Sequence, residues 1–101
     1  MTNVYLEKDE SGCTVNCAGH ATGNAAVCAG VSAIMYGLSG WLINNPAVKV
    51  HEEKLEDGFA LIRFGRTKES EVVFDFVVIA LMQIAESYPM FCTVQEYRAK
   101  E

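Results

Sequence analysis

Apolar and polar residues alternate twice near the start of the chain, through Val4-Tyr5-Leu6 and again through Cys13-Thr14-Val15-Asn16-Cys17-Ala18. Period-two alternation marks a strand with one buried face. The turn-forming run Lys8-Asp9-Glu10-Ser11-Gly12 between the two makes them a hairpin. Gly19 to Gly23 reads as a loop. From Asn24 the apolar period becomes helical, and the helix runs to about Asn44, stopped by Asn44-Asn45-Pro46. Asn24 is placed to cap it, because its side-chain oxygen can accept a first-turn N–H that has no helical partner.

Three stripes run along this helix: small residues (Ala26, Gly30, Ala33, Gly37, Gly40), bulky ones (Val27, Val31, Ile34, Leu38, Trp41) and a mixed row (Cys28, Ser32, Met35, Ser39). Glycine in an exposed helix costs about 1 kcal/mol relative to alanine. The small stripe therefore predicts a close-packing surface, and the helix as a whole a largely enclosed one. Trp41 reads as a core or dimer contact.

Ala47 to Leu55 and Gly58 to Phe64 read as strands joined through Glu56-Asp57-Gly58, a hairpin signal. Thr67 or Ser70 opens a second helix with Glu69 and Glu71 near its positive end, and the helix closes near Ser87, before Tyr88-Pro89. Val73, Phe76, Val77, Ala80 and Ile84 are expected inward, with Phe74, Val78 and Leu81 beside them. Apolar residues on more than one face suit a partner surface as well as a core. Phe91 to Tyr97 alternates as a last strand. The predicted order is β-β-α-β-β-α-β, a single α+β domain over residues 1–101 with one sheet and two helices.

Composition narrows the function. A chain of 101 residues, half of them apolar, can bury one core without staples. A net charge of -5 excludes nucleic acid as the main partner, since phosphate binding needs a basic patch. The run Val72 to Ala85 is interrupted by Asp75 and Gln83 and is too short to span a bilayer, so no membrane partner is expected. Met1 to Tyr5 does not lead a basic stretch into an apolar one, and the four cysteines then read as reduced thiols of a cytoplasmic domain.

The candidate chemistry lies in Gly19-His20-Ala21 and Val27-Cys28-Ala29-Gly30-Val31-Ser32. A thiol at a helix start meets the positive end of the dipole and unpaired N–H groups, both of which favour the thiolate. An imidazole nearby can take the proton and return it to a leaving amine, while the same N–H groups face an oxyanion. The spacing alone more simply describes a buried cysteine beside a surface-loop histidine, since cysteine is among the most buried residue types. Cys13, Cys17, His20 and Cys28 also make a formal zinc set, but Cys13 and Cys17 are about 13 Å apart along a strand. They read as core residues facing a helix. No metal or cofactor is expected, and His51 reads as a solvated strand residue.

Gly19-His20-Ala21, Cys28-Ala29-Gly30-Val31-Ser32-Ala33 and Gln83-Ile84-Ala85-Glu86-Ser87-Tyr88-Pro89 together resemble the ribosomal-processing cysteine protease family, Prp or YsxB-like, over essentially the whole chain. The resemblance implies a usually dimeric cysteine endopeptidase that trims a short N-terminal segment from a ribosomal protein or, in phage relatives, a virion protein. It implies Cys28 as nucleophile and His20 as general base. Ser32 then lines the pocket one helical turn on, with Gly19, Ala21 and Asn24 beside it. Two departures stand out. Ala25 occupies the position of the family's aspartate, and the loop between histidine and cysteine is shorter. The shortened loop fits a divergent, phage-type branch. Ala25 supports the alternative of an inactive dimeric relative that binds protein through the same groove. The loop from Gly19 to Gly23 suggests a lid that orders on binding.

Overall fold

In a computed structural model that describes residues 1–101, the first alternating runs form β1 (Thr2–Asp9) and β2 (Gly12–Ala18). Val4 and Leu6 of β1 and Cys13, Val15 and Cys17 of β2 are buried, while Tyr5 faces solvent, as a one-sided sheet requires. Lys8 and Asp9 belong to β1, so the turn narrows to Glu10-Ser11, with Asp9 Oδ1 accepting from Ser11 N at 2.8 Å and Ser11 Oγ at 2.6 Å. Lys8 keeps an inward position because its stem packs on the core while its ammonium reaches Glu71 at 3.3 Å and Asp75 at 3.8 Å.

The remaining elements are α1 (Ala25–Ile43), β3 (Val50–Glu56), β4 (Phe59–Phe64), α2 (Lys68–Ser87) and β5 (Cys92–Ala99), in the predicted β-β-α-β-β-α-β order. The five strands form one sheet, β3-β4-β2-β1-β5, antiparallel except for the β1–β5 pair. The helices pack on each other and on the sheet, enclosing Leu6, Met35, Ile62, Phe64, Phe74 and Leu81. By length and composition α1 could cross a membrane; in this fold its apolar residues serve the core and two cavities.

β3 starts later than the alternation predicts, because Asn45-Pro46-Ala47 still turns: Val48 N donates to Asn45 O at 3.0 Å and Val48 is buried below the turn. Gly58 belongs to the hairpin turn rather than to a strand, at φ +76°.

Two helix faces differ from expectation. On α1 only Gly30 of the small stripe is closely packed: a Cβ built there would stand 3.3 Å from Ile84 Cδ1, whereas Gly37 and Gly40 face open space. The buried face is instead Val27, Val31, Met35, Leu38, Ser39 and Leu42. On α2 the inner row is Ser70, Phe74, Val77, Val78 and Leu81, and Phe76 is 71% exposed. The rotation of α2 follows from its start. Thr67 Oγ1 accepts from Ser70 N at 3.0 Å, Ser70 Oγ accepts from Thr67 N at 2.7 Å and donates to Gly65 O at 2.8 Å. With Ser70 fixed inward, Phe74, Val77, Val78 and Leu81 follow at helical spacing.

Candidate active site

Asn24 caps α1 as expected, its Oδ1 accepting from Val27 N at 3.0 Å and its backbone O from Cys28 N at 3.3 Å. With Val27 and Cys28 engaged, the N–H groups of Ala25 and Ala26 are the free donors of the helix start. Cys28 lies in the first turn, where the dipole acts. Helical side chains lean toward the N-terminus, and Sγ accordingly points back to Ala21 O at 3.8 Å.

The loop before α1 is tethered along its backbone. Gly19 N donates to Gly58 O at 2.8 Å, Thr2 Oγ1 donates to Gly19 O at 3.2 Å, and the Met1 amino group donates to His20 O at 2.6 Å. The His20 imidazole is exposed and lies against Gly58 in the β3–β4 turn. The register that pairs Ala18 with Phe59 brings this turn alongside Gly19.

His20 and Cys28 line one cavity of about 330 Å³ between α1 and the β3–β4 hairpin. From α1 come Val31, Ser32, Met35 and Tyr36, and from the hairpin Leu55 to Ala60. Here Sγ bonds to the Ala21 carbonyl and not to the imidazole, so the pair shares the cavity without a bond between them. Gly19 also lines the cavity. Ala21 does not: its methyl is buried in the core and only its carbonyl meets the thiol. Asn24 acts as the cap, outside the lining. Ala25 is exposed at the first helical position, where its methyl offers no carboxylate.

All four thiols are free, and they differ sharply. Burial pushes Cys13 up to about 11, Cys17 up to about 12, and Cys92 upward as well. Cys17 forms part of the cavity floor but is 4% exposed, while Cys28 is half-buried. Cys13 pairs with Lys8 at the far end of β2, so Cys13, Cys17, His20 and Cys28 do not converge on one point. The hairpin wall and Tyr36 were missed in the sequence, because their place at the site depends on strand pairing and no local pattern announces it.

A second cavity of about 560 Å³ lies between α1 and α2, lined by Ala33, Ile34, Gly37, Trp41, Val72, Val73 and Phe76 among others.

The family model described as cysteine protease Prp matches residues 1–93. No curated protein matches the chain. Among solved structures, the essential ribosomal processing protease Prp from S. aureus with a covalently linked product peptide is similar, with a TM-score of 0.80 and 24% identity, covering 95% of this chain and 99% of that one. The same S. aureus protease with a substrate peptide gives a TM-score of 0.76 at 24% identity, with 95% and 99% covered. SMU.848 from Streptococcus mutans gives 0.78 at 21% identity, covering 97% of this chain and 95% of that one. At these identities the structural likeness establishes a shared fold.

Proposed function

Because the chain belongs to the cysteine protease Prp family, we propose that it is a cytoplasmic cysteine endopeptidase trimming a short N-terminal segment from a ribosomal or phage structural protein. The observation that carries this reading is that His20, from a loop, and Cys28, from a helix start, open onto one cavity. The imidazole takes the Sγ proton, and sulfur attacks the scissile carbonyl carbon. The N–H groups of Ala25 and Ala26 are the available donors for the resulting oxyanion. Collapse breaks the C–N bond as His20 returns the proton to the amine, and water then hydrolyses the thioester with His20 again as base. Sγ is bonded to the Ala21 carbonyl here, and catalytic hydrogen bonds commonly tighten only once substrate is seated.

The cavity walls Val31, Met35, Leu55 and Phe59 suit an apolar side chain of the peptide, and no cofactor enters the chemistry. The short loop favours a phage-type substrate. The substrate peptide bound by the S. aureus relative supports a peptide partner here.

The working unit is a homodimer joined through the α1–α2 groove. Gly37 leaves open space there, while Phe76 and Val72 stand beside it, 71% and 67% exposed. A two-fold interface needs a knob and a notch on the same patch, and this face carries both. Phe76→Asp is expected to give monomers in sedimentation analysis; a monomeric parent would contradict the assignment.

The second reading, an inactive protein-binding module, is favoured by Ala25 in place of the family's carboxylate. A peptide library of ribosomal and virion N-termini separates the two. New termini released by the parent, and absent with Cys28→Ala and His20→Ala, support the protease; a parent that binds peptides without cleaving them supports the module.

A further inference from the structure

Gly58 meets the His20 loop twice, through its carbonyl and through its α-carbon. Its carbonyl accepts from Gly19 N at 2.8 Å. A Cβ built on it would lie 2.5 Å from His20 Nε2 and 3.0 Å from both Cδ2 and Cε1, so the exposed ring would have to leave this position to admit a side chain at residue 58. The near-equal spacing to the two flanking carbons places that point above the ring face, at its Nε2 end. A group meeting Nε2 head-on in the ring plane would stand farther from both carbons. The imidazole therefore packs face-on against bare backbone, which leaves the in-plane position at Nε2 clear of Gly58, and the residue lines the cavity that also holds Cys28.

We propose that Gly58 is a positioning residue for His20: the tip of the β3–β4 hairpin is the platform that sets the imidazole plane for proton exchange with Cys28. This rests on the reading of His20 as general base. The turn by itself asks for glycine at φ +76°, since that region disfavours other residues except asparagine and aspartate. The platform asks for something more, the absence of any Cβ. Asparagine satisfies the first demand and violates the second, so Gly58→Asn separates them. The hairpin also contributes Leu55, Phe59 and Ala60 to the cavity wall, so a peptide seated against them presses on the element that holds the base.

The test compares Gly58→Asn and Gly58→Ala in the parent and in His20→Ala, reading the rate of Cys28 alkylation by chloroacetamide at pH 7. The expected result is a loss of at least about fivefold in the parent background and less than about twofold without His20, because the effect passes through the imidazole. Equal losses in both backgrounds would mean a structural role, and no loss in the parent background would mean no role; either overturns the proposal. Should both variants fail to fold, proton NMR of the parent decides. The Gly58 Hα resonances are expected to carry a ring-current shift that His20→Ala abolishes; resonances indifferent to His20 overturn the proposal. If His20→Ala alone leaves the Cys28 rate unchanged, the base reading has failed, and the ring-current result still reports whether the ring sits on Gly58.

Discussion

Alkylation of the folded protein should single out Cys28 among four chemically identical side chains. At pH 8 a thiol titrating near 8.5 is about one-quarter ionised. Groups raised to about 11 and about 12, as Cys13 and Cys17 are, are ionised to about 0.001 and 0.0001. More basic thiolates react faster, with a Brønsted coefficient of about 0.45, which recovers part of the deficit. The net handicap against an ordinary accessible thiol is then about twentyfold for Cys13 and sixtyfold for Cys17. Burial adds to it, since Cys13, Cys17 and Cys92 are 1%, 4% and 0% exposed and must await an opening of the fold. Brief exposure to chloroacetamide, read by intact mass and peptide mapping, should therefore give one adduct at Cys28 in buffer and four in urea. A second cysteine labelled within about fivefold of Cys28 in the folded protein would refute the burial and ionisation argument.

Ser70→Ala removes the acceptor of Thr67 N and the donor to Gly65 O at a fully buried site, for about 2 kcal/mol or a Tm lowered by about 9 °C; a loss below about 0.5 kcal/mol in urea unfolding would contradict that accounting. Gly40→Ala enters open space on α1 and should stabilise by about 0.5–1 kcal/mol, whereas a destabilised variant would restore the close-packing reading of the small stripe. Hydrogen bonds from Arg66 and Lys8 hold the Glu71 carboxyl below its ordinary value of 4.5. A depressed carboxyl adds stability above that value and loses it as pH falls through the folded one. Glu71→Gln should flatten the acid side of the stability curve, and an unchanged acid limb would remove Glu71 from the explanation.

Local signals carried the element order well. Asn24, Thr67 with Ser70, and Asp57-Gly58 each act where backbone chemistry demands them, at two helix starts and one turn. What depended on tertiary contact was harder. Lys8 looked like a turn residue because its inward position is tolerable only with Glu71 and Asp75, many residues away, to meet its ammonium. Burial lowers its readiness to stay charged, and the bond to Glu71 with the charges of Asp75 and Glu71 outweighs this, so its titration is raised. Phe76 and Phe74 are separated by two positions, and the helical period alone did not say which of their rows faced inward. The anchor of Ser70 on Gly65 decided it. At the site, Gly19, His20, Cys28 and Ser32 were all legible as residues of one cavity. The opposite wall was not, because only the β2–β4 register carries the Gly58 turn to His20.

The most direct test of the nucleophile and base assignment is the rate of Cys28 alkylation at pH 7 in the parent and in His20→Ala, followed residue by residue with mass spectrometry. The rate is expected to fall at least about tenfold without the imidazole, with labelling still confined to Cys28. Equal rates in the two proteins would show a thiol that does not use His20, and would contradict the pairing on which the protease reading stands.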